Sequence, residues 1–435
     1  MPADSSHSLK SSVIKNYRWY VCALLFYATT LRYVDRQVIG ILKPTLEQYF
    51  GWSEIDYSHV VMAFTASYAL GLLSFGGLID RIGTKLGYSL SLIIWSLASM
   101  AHAITTRTIG FASVRAVLGL SEAMNLPTAI KTVAEWFPKK ERALATGIFI
   151  SGTNVGAIVA PILVPIIVSL WGWEEAFILT GAMGFVWLAL WWRFYDIPVS
   201  QKRLSKEEYD YIHSDDEEKD QSTIRVSWLK LLSFRQTWAF IVGKFLSDPI
   251  WWFFLFWLPS YFVNAFQVDF TKPSLLLAII YTATTLGSIG GGYLSSWLIK
   301  KGWSIFKARR VSMLVFALCV VPIMLAQFLS NLWIAVALVS LAAASHQGWS
   351  ANILTTIGDE FPKKVISSLI GIGTLAGALG GVLFPIVVGQ LLDYYKALGD
   401  INAGYSVLFI ICGCAYVVAL MLMHLISPKP ATIKL

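Results

Sequence analysis

The sequence predicts an all-α membrane protein of twelve transmembrane helices, built as two pseudo-symmetric six-helix bundles. Three observations predict it. Of the 435 residues 56% are hydrophobic and only 14% charged, against about 25% charged in a soluble domain. Apolar runs long enough to cross about 30 Å of hydrocarbon recur along the whole chain. A segment of the first half also reappears in the second. Each run must be helical, because lipid tolerates only helices and closed barrels, and these runs are far too long for barrel strands.

The runs fall at 17–40, 57–79, 86–106, 108–131, 142–168, 174–195, 236–263, 275–299, 310–328, 331–357, 365–391 and 404–426. The first is too long for a signal-peptide core and lacks a small-residue cleavage site, so no cleaved leader is expected. Cys22, Cys319, Cys412 and Cys414 all fall within spans, without metal-ligand spacing. No metal or other cofactor is expected. Of the 34 Lys and Arg, four (Lys43, Arg107, Lys272, Lys396) fall in loops on one side and four (Arg32, Arg36, Arg115, Lys244) inside spans. The remaining 26 lie on the other side, with both termini. The positive-inside rule makes that side the cytoplasm. The net charge of +8 is this loop bias and does not point to nucleic acid.

Residues 196–235 form the one long polar segment, including the charge run from Ser214 to Lys219. They divide the chain into a first bundle (1–195), a cytoplasmic linker (196–235) and a second bundle (236–435). Glu135-Trp-Phe-Pro-Lys-Lys140 recurs as Asp359-Glu-Phe-Pro-Lys-Lys364, and the same offset of 224 carries Gly147 to Gly371, Gly156 to Gly380 and Pro161 to Pro385. Small residues let helices approach closely in lipid, so the fifth and eleventh spans are expected to line one cavity as equivalents.

Parallel halves with a binding site between them, near the midplane, are the plan of the major facilitator transporters. After the second span comes Gly76-Gly-Leu-Ile-Asp80-Arg81-Ile-Gly83-Thr-Lys85, which resembles that superfamily's loop motif and departs only at Thr84, usually basic. Its expected role is a cytoplasmic latch. Asp80 would meet a helix N-terminus or a cation, and Arg81 would bridge to neighbouring spans.

A charge in mid-span costs about 2.5–3.5 kcal/mol on insertion scales and marks function by default. The first span carries Arg32-Tyr33-Val34-Asp35-Arg36. The fourth carries Arg115 and Glu122, two turns apart on one face, with Asn125 and Thr128 extending it. Lys244 and Asp248 stand in the seventh, His346 and Gln347 in the tenth. An anion symporter needs a fixed cation, for which the arginine fork suits a carboxylate. It also needs a buried acid that can take up and release a proton. Arg36 with Asp35, and Arg115 with Glu122, are the expected pairs.

Tyr33-Val-Asp35-Arg36, the Arg115-x6-Glu122 spacing and Tyr68 resemble the anion:cation symporter family, closest to its bacterial hexuronate permeases. Ala134-Glu-Trp-Phe-Pro138, Phe245-Leu-Ser-Asp-Pro249-x-Trp251 and His346-Gln347 extend the likeness over nearly the whole chain. The resemblance implies import of a small organic anion with protons, a hexuronate foremost, through the bacterial inner membrane by a monomer. It implies that Arg36 holds the substrate carboxylate, with Tyr33 and Tyr68 on its hydroxyls. Asp35 and Glu122 would be proton sites, modulated by Arg115, with His346 a further candidate. Gln347, Trp349 and Asn154 would touch the sugar. Trp251 to Trp257 are read mostly as packing, and Trp191 and Trp192 as an interface belt. An aldonate or 2-keto-3-deoxy acid remains an alternative substrate, and a proton/drug antiporter an alternative function. No phosphate-binding loop supports an ATP-driven pump.

Overall fold

The computed structural model describes residues 16–214, 227–270, 272, 275–362, 365–430 and 433. The charge run at 215–219, and Lys363 and Lys364 of the repeat, lie outside them. So does the side chain of Asp80.

The described residues form helices and no strand. They are α1 Tyr17–Phe50, α2 Glu54–Ile82, α3 Thr84–Ala101, α4 Thr108–Glu122, α5 Asn125–Trp136, α6 Lys139–Trp171, α7 Trp173–Phe194, α8 Lys206–Ile212, α9 Trp228–Leu231, α10 Arg235–Phe256, α11 Leu258–Phe266, α12 Leu276–Lys300, α13 Ile305–Val320, α14 Leu332–Glu360, α15 Ile366–Ala397 and α16 Ile401–Ile426. Twelve spans result, with α4–α5 and α10–α11 each making one, and a 3₁₀ turn extending α13. Among the described residues, nine helical segments are long and apolar enough to cross a membrane by length and composition. The charged α1 is not one of them.

The predicted boundaries needed three corrections, each with a local cause. The first span does not stop near residue 40: α1 runs to Phe50, so Lys43, assigned to a loop, is a buried helical residue. The fourth span is not continuous. It breaks after Glu122, because Pro127 cannot donate to the Ala123 carbonyl and its ring would clash there. The seventh breaks at Trp257 for the same reason, two residues before Pro259. Trp191 is not an interface residue either. It is buried and stacks on Tyr195 at 3.7 Å, whereas Trp192 is exposed as expected.

The halves repeat their packing. In the first, α1 packs on α6, α2 on α4 and α3 on α7; in the second, α10 packs on α15, α12 on α14 and α13 with its extension on α16. The predicted glycine pair does equivalent work. A Cβ at Gly156 would lie 2.5 Å from the Thr30 carbonyl oxygen of α1, and one at Gly380 would lie 2.5 Å from the Phe245 carbonyl oxygen of α10. Pro249, four residues after Phe245, removes the usual donor to that carbonyl, and glycine lets the two backbones touch.

The linker up to Ser214 folds onto the first half, whereas α9 packs on α15 of the second. Glu208 of α8 accepts the backbone N–H groups of Tyr17 (2.8 Å) and Arg18 (3.1 Å), capping α1, and pairs with the Arg18 guanidinium at 2.9 Å. An acid at a helix N-terminus meets both unpaired donors and the positive end of the dipole.

Candidate functional site

At mid-depth, α1 faces α4 across a pair the sequence did not suggest. Arg36 donates from Nη2 (2.6 Å) and Nε (3.1 Å) to Glu122 Oε2, and both side chains are almost wholly buried. The expected pairings are therefore wrong. Asp35 cannot face Arg36, because adjacent helical residues point about 100° apart. Asp35 turns to α3 and accepts from Ser99 Oγ at 3.0 Å. Arg115, two turns from Glu122, makes no ion pair with it and donates to the Arg36 carbonyl oxygen at 3.4 Å.

Aromatic rings from both halves surround the Arg36 guanidinium, with Tyr68 at 4.8 Å, Phe64 at 4.9 Å, Trp252 at 5.2 Å and Tyr33 at 5.4 Å. A cation over ring faces in a dry setting gains about 2 kcal/mol or more. Trp252 reaches this cage from α10, and the neighbouring Trp251 donates from Nε1 to the Tyr33 hydroxyl at 3.3 Å. These two indoles, read as packing, belong to the site. A tryptophan pair one residue apart from Pro249 was the available signal.

Trp251 also stacks on His346 at 5.3 Å, and His346 Nδ1 meets the Tyr416 hydroxyl at 2.7 Å. His346 is thus held at the site by hydrogen bonding and stacking. Trp349 lies buried against Tyr416 with its indole N–H unpaired. Gln347 and Asn154 are partly buried. Neither is brought into the cluster by a hydrogen bond. Lys244 and Asp248 pair with each other at 2.7 Å.

The halves are locked together at the end remote from α8. Lys43 Nζ meets Glu47 (2.6 Å) and Glu54 (2.8 Å) of the first half and donates to Ser260 Oγ (2.9 Å) of α11. Trp257 donates to Glu54 at 3.3 Å, and the Tyr57 hydroxyl to the Phe256 carbonyl at 3.0 Å. Asp393 of α15 accepts the N–H groups of Glu54 and Ile55, both at 2.9 Å, capping α2 from the other half. At the opposite end a cavity of about 280 Å³ separates the halves, lined by Ala69, Leu126 and Pro127 on one side and Trp228, Gly371 and Thr374 on the other. A cavity of about 250 Å³ between Ile41 and Pro44 of α1 and Val263 and Phe270 lies beside this seal as well.

Lys43→Gln removes the buried cation of this seal and leaves Glu47 and Glu54 facing each other, a loss of about 3–5 kcal/mol for breaking a buried pair. Spin labels at the exposed positions 49 and 398 are expected to move apart in that variant. An unchanged distance distribution would show that the seal does not depend on Lys43.

The loop motif makes a tight turn between α2 and α3, with the Asp80 side chain of the expected latch outside the described residues. Gly83 ends α2 at φ 80°, ψ 162°, a conformation glycine alone adopts freely. Thr84, the departure from the motif, is buried between Glu135 (3.0 Å) and the Tyr195 hydroxyl (2.7 Å). Lys85 pairs with Asp196 at 3.0 Å. Arg81 is exposed and, among the described residues, makes no bridge to a neighbouring span. Gly76 lies within α2.

Comparison with known proteins agrees with this architecture. Residues 25–385 match the Major Facilitator Superfamily. The chain is 30% identical over 426 residues to the hexuronate transporter of Escherichia coli K12, covering 96% of each. It is 35% identical over 283 residues to the galacturonate transporter of Dickeya chrysanthemi, covering 65% of this chain and 82% of that one. In fold it resembles a bacterial homologue of the human lysosomal transporter Spinster, solved inward-facing and occupied, at TM-score 0.80 and 17% identity over 97% of this chain and 98% of that one. A D-xylose–proton symporter superposes at TM-score 0.74 and 14% identity, covering 97% of this chain and all of that one.

Proposed function

The chain belongs to the major facilitator superfamily and is a membrane transporter, not an enzyme; from that premise we propose that it imports a sugar acid together with protons by alternating access. The substrate is a hexuronate such as galacturonate or glucuronate. It acts as a monomer in a bacterial inner membrane, with both termini in the cytoplasm, so the end locked through Lys43 faces out.

The observation that carries the reading is the buried Arg36–Glu122 pair inside a cage built from both halves. While Glu122 is ionised it holds Arg36. Once protonated it loses most of that attraction, and Arg36 turns to the substrate carboxylate. Proton and anion then bind cooperatively through one guanidinium, which is what coupling requires. Asp35, which makes no ion pair among the described residues, is a second proton site, and His346 a third candidate. Tyr33, Tyr68, Arg115, Gln347, Trp349 and Asn154 supply further contacts around the sugar. A drug antiporter would present acids to its cationic cargo. Here Arg32, Arg36 and Arg115 outnumber Asp35 and Glu122.

Proteoliposomes should accumulate labelled galacturonate and glucuronate when the interior is made alkaline, and a protonophore should abolish it. Galactose should not accumulate. Uptake driven by sodium alone, or preference for galactose, would overturn the reading.

A further inference from the structure

We infer that Arg32 is the residue that first captures the substrate's carboxylate, holding it while Arg36 is still bound to Glu122. The inference rests on the sugar-acid reading above and names the anchor within that site.

The argument starts from the ion pairs. Arg18 has Glu141 and Glu208, Arg36 has Glu122, Lys43 has Glu47 and Glu54, and Lys244 has Asp248. Among the described residues Arg32 has no carboxylate partner. It is 6% exposed, its Nε has no partner, and its one hydrogen bond is a long one of 3.4 Å to the Tyr68 hydroxyl. Holding a charge in mid-span without a counter-ion costs about 2.5–3.5 kcal/mol. A ligand anion that arrives during the working cycle offsets that cost.

Position separates Arg32 from Arg115, which also lacks a carboxylate. Arg115 lies two turns from Glu122 toward the sealed end. Arg32 lies four residues from Arg36 in the other direction, about 6 Å along the axis toward the cavity. Its partner Tyr68 is followed by Ala69, which lines that cavity. Buried Asn125 donates to the Tyr88 hydroxyl at 2.7 Å, and its Oδ1 has no donor. A buried unpaired guanidinium and a buried unpaired acceptor within the first half suit a ligand with a carboxylate and hydroxyls. The arginine fork would take the carboxylate bidentately, and Asn125 would accept from a hydroxyl.

The test is equilibrium binding of labelled D-galacturonate, and of neutral D-galactose as its uncharged counterpart, to detergent-purified wild type, Arg32→Gln and Arg32→Lys, with the melting temperature of each recorded. Losing a charge-assisted hydrogen bond predicts a Kd for galacturonate at least about tenfold weaker in Arg32→Gln. Partial recovery is expected in Arg32→Lys, with the preference for galacturonate over galactose collapsing in Arg32→Gln alone. A merely structural role would weaken both sugars equally or lower the melting temperature of both variants. Either result, or galacturonate binding by Arg32→Gln within threefold of wild type, overturns the assignment. A wild type that binds no sugar acid overturns the functional reading instead.

Discussion

Glu122→Gln is expected to bind sugar acid and exchange it across the membrane, yet fail to concentrate it. A monoanion entering with one proton is electroneutral, so a pH gradient of one unit sustains at most about a tenfold substrate ratio, the tenfold that one pH unit represents. In the variant the ratio should fall to about one. Glutamine resembles the protonated acid: it keeps an oxygen for Arg36 but carries no charge to hold it, leaving the guanidinium free for substrate. Counterflow, which needs no net proton movement, should therefore survive. Normal pH-driven accumulation by Glu122→Gln would remove Glu122 from the proton path and leave Asp35 or His346 to carry it.

Arg36→Lys should reduce transport at least about a hundredfold while the protein still inserts and purifies normally. Breaking a buried pair costs about 3–5 kcal/mol, and lysine cannot reproduce the two bonds to one carboxylate oxygen or the flat contact with Tyr68, Phe64 and Trp252. Because Trp252 comes from the second half, the loss should also slow interconversion between states. Transport within threefold of wild type would show that a point charge suffices and that the fork geometry is irrelevant.

The fold was largely legible because the signals that make it are local. Hydrophobic length gave twelve spans, and the glycine and proline offset of 224 gave two equivalent halves, realised as Gly156 against α1 and Gly380 against α10. Even the break in the fourth span was present in Pro127. The errors came from interactions between helices. Lys43 looked like the start of a loop because nothing in its own segment showed that Glu54 and Ser260 would bury it. Spacing along one chain paired Arg115 with Glu122. The partner of Glu122 is set by how α1 docks on α4, which residue spacing does not encode. Trp252 was set aside for the same reason, since its contacts lie in the other half.

The central claim is that one guanidinium links proton and sugar-acid movement. The most direct measurement is internal pH in proteoliposomes loaded with a pH-sensitive dye, without an imposed gradient, when galacturonate is added outside. Coupled entry predicts internal acidification that follows substrate uptake, is absent with galactose and is lost in Glu122→Gln. Galacturonate entry without any change in internal pH would contradict the account.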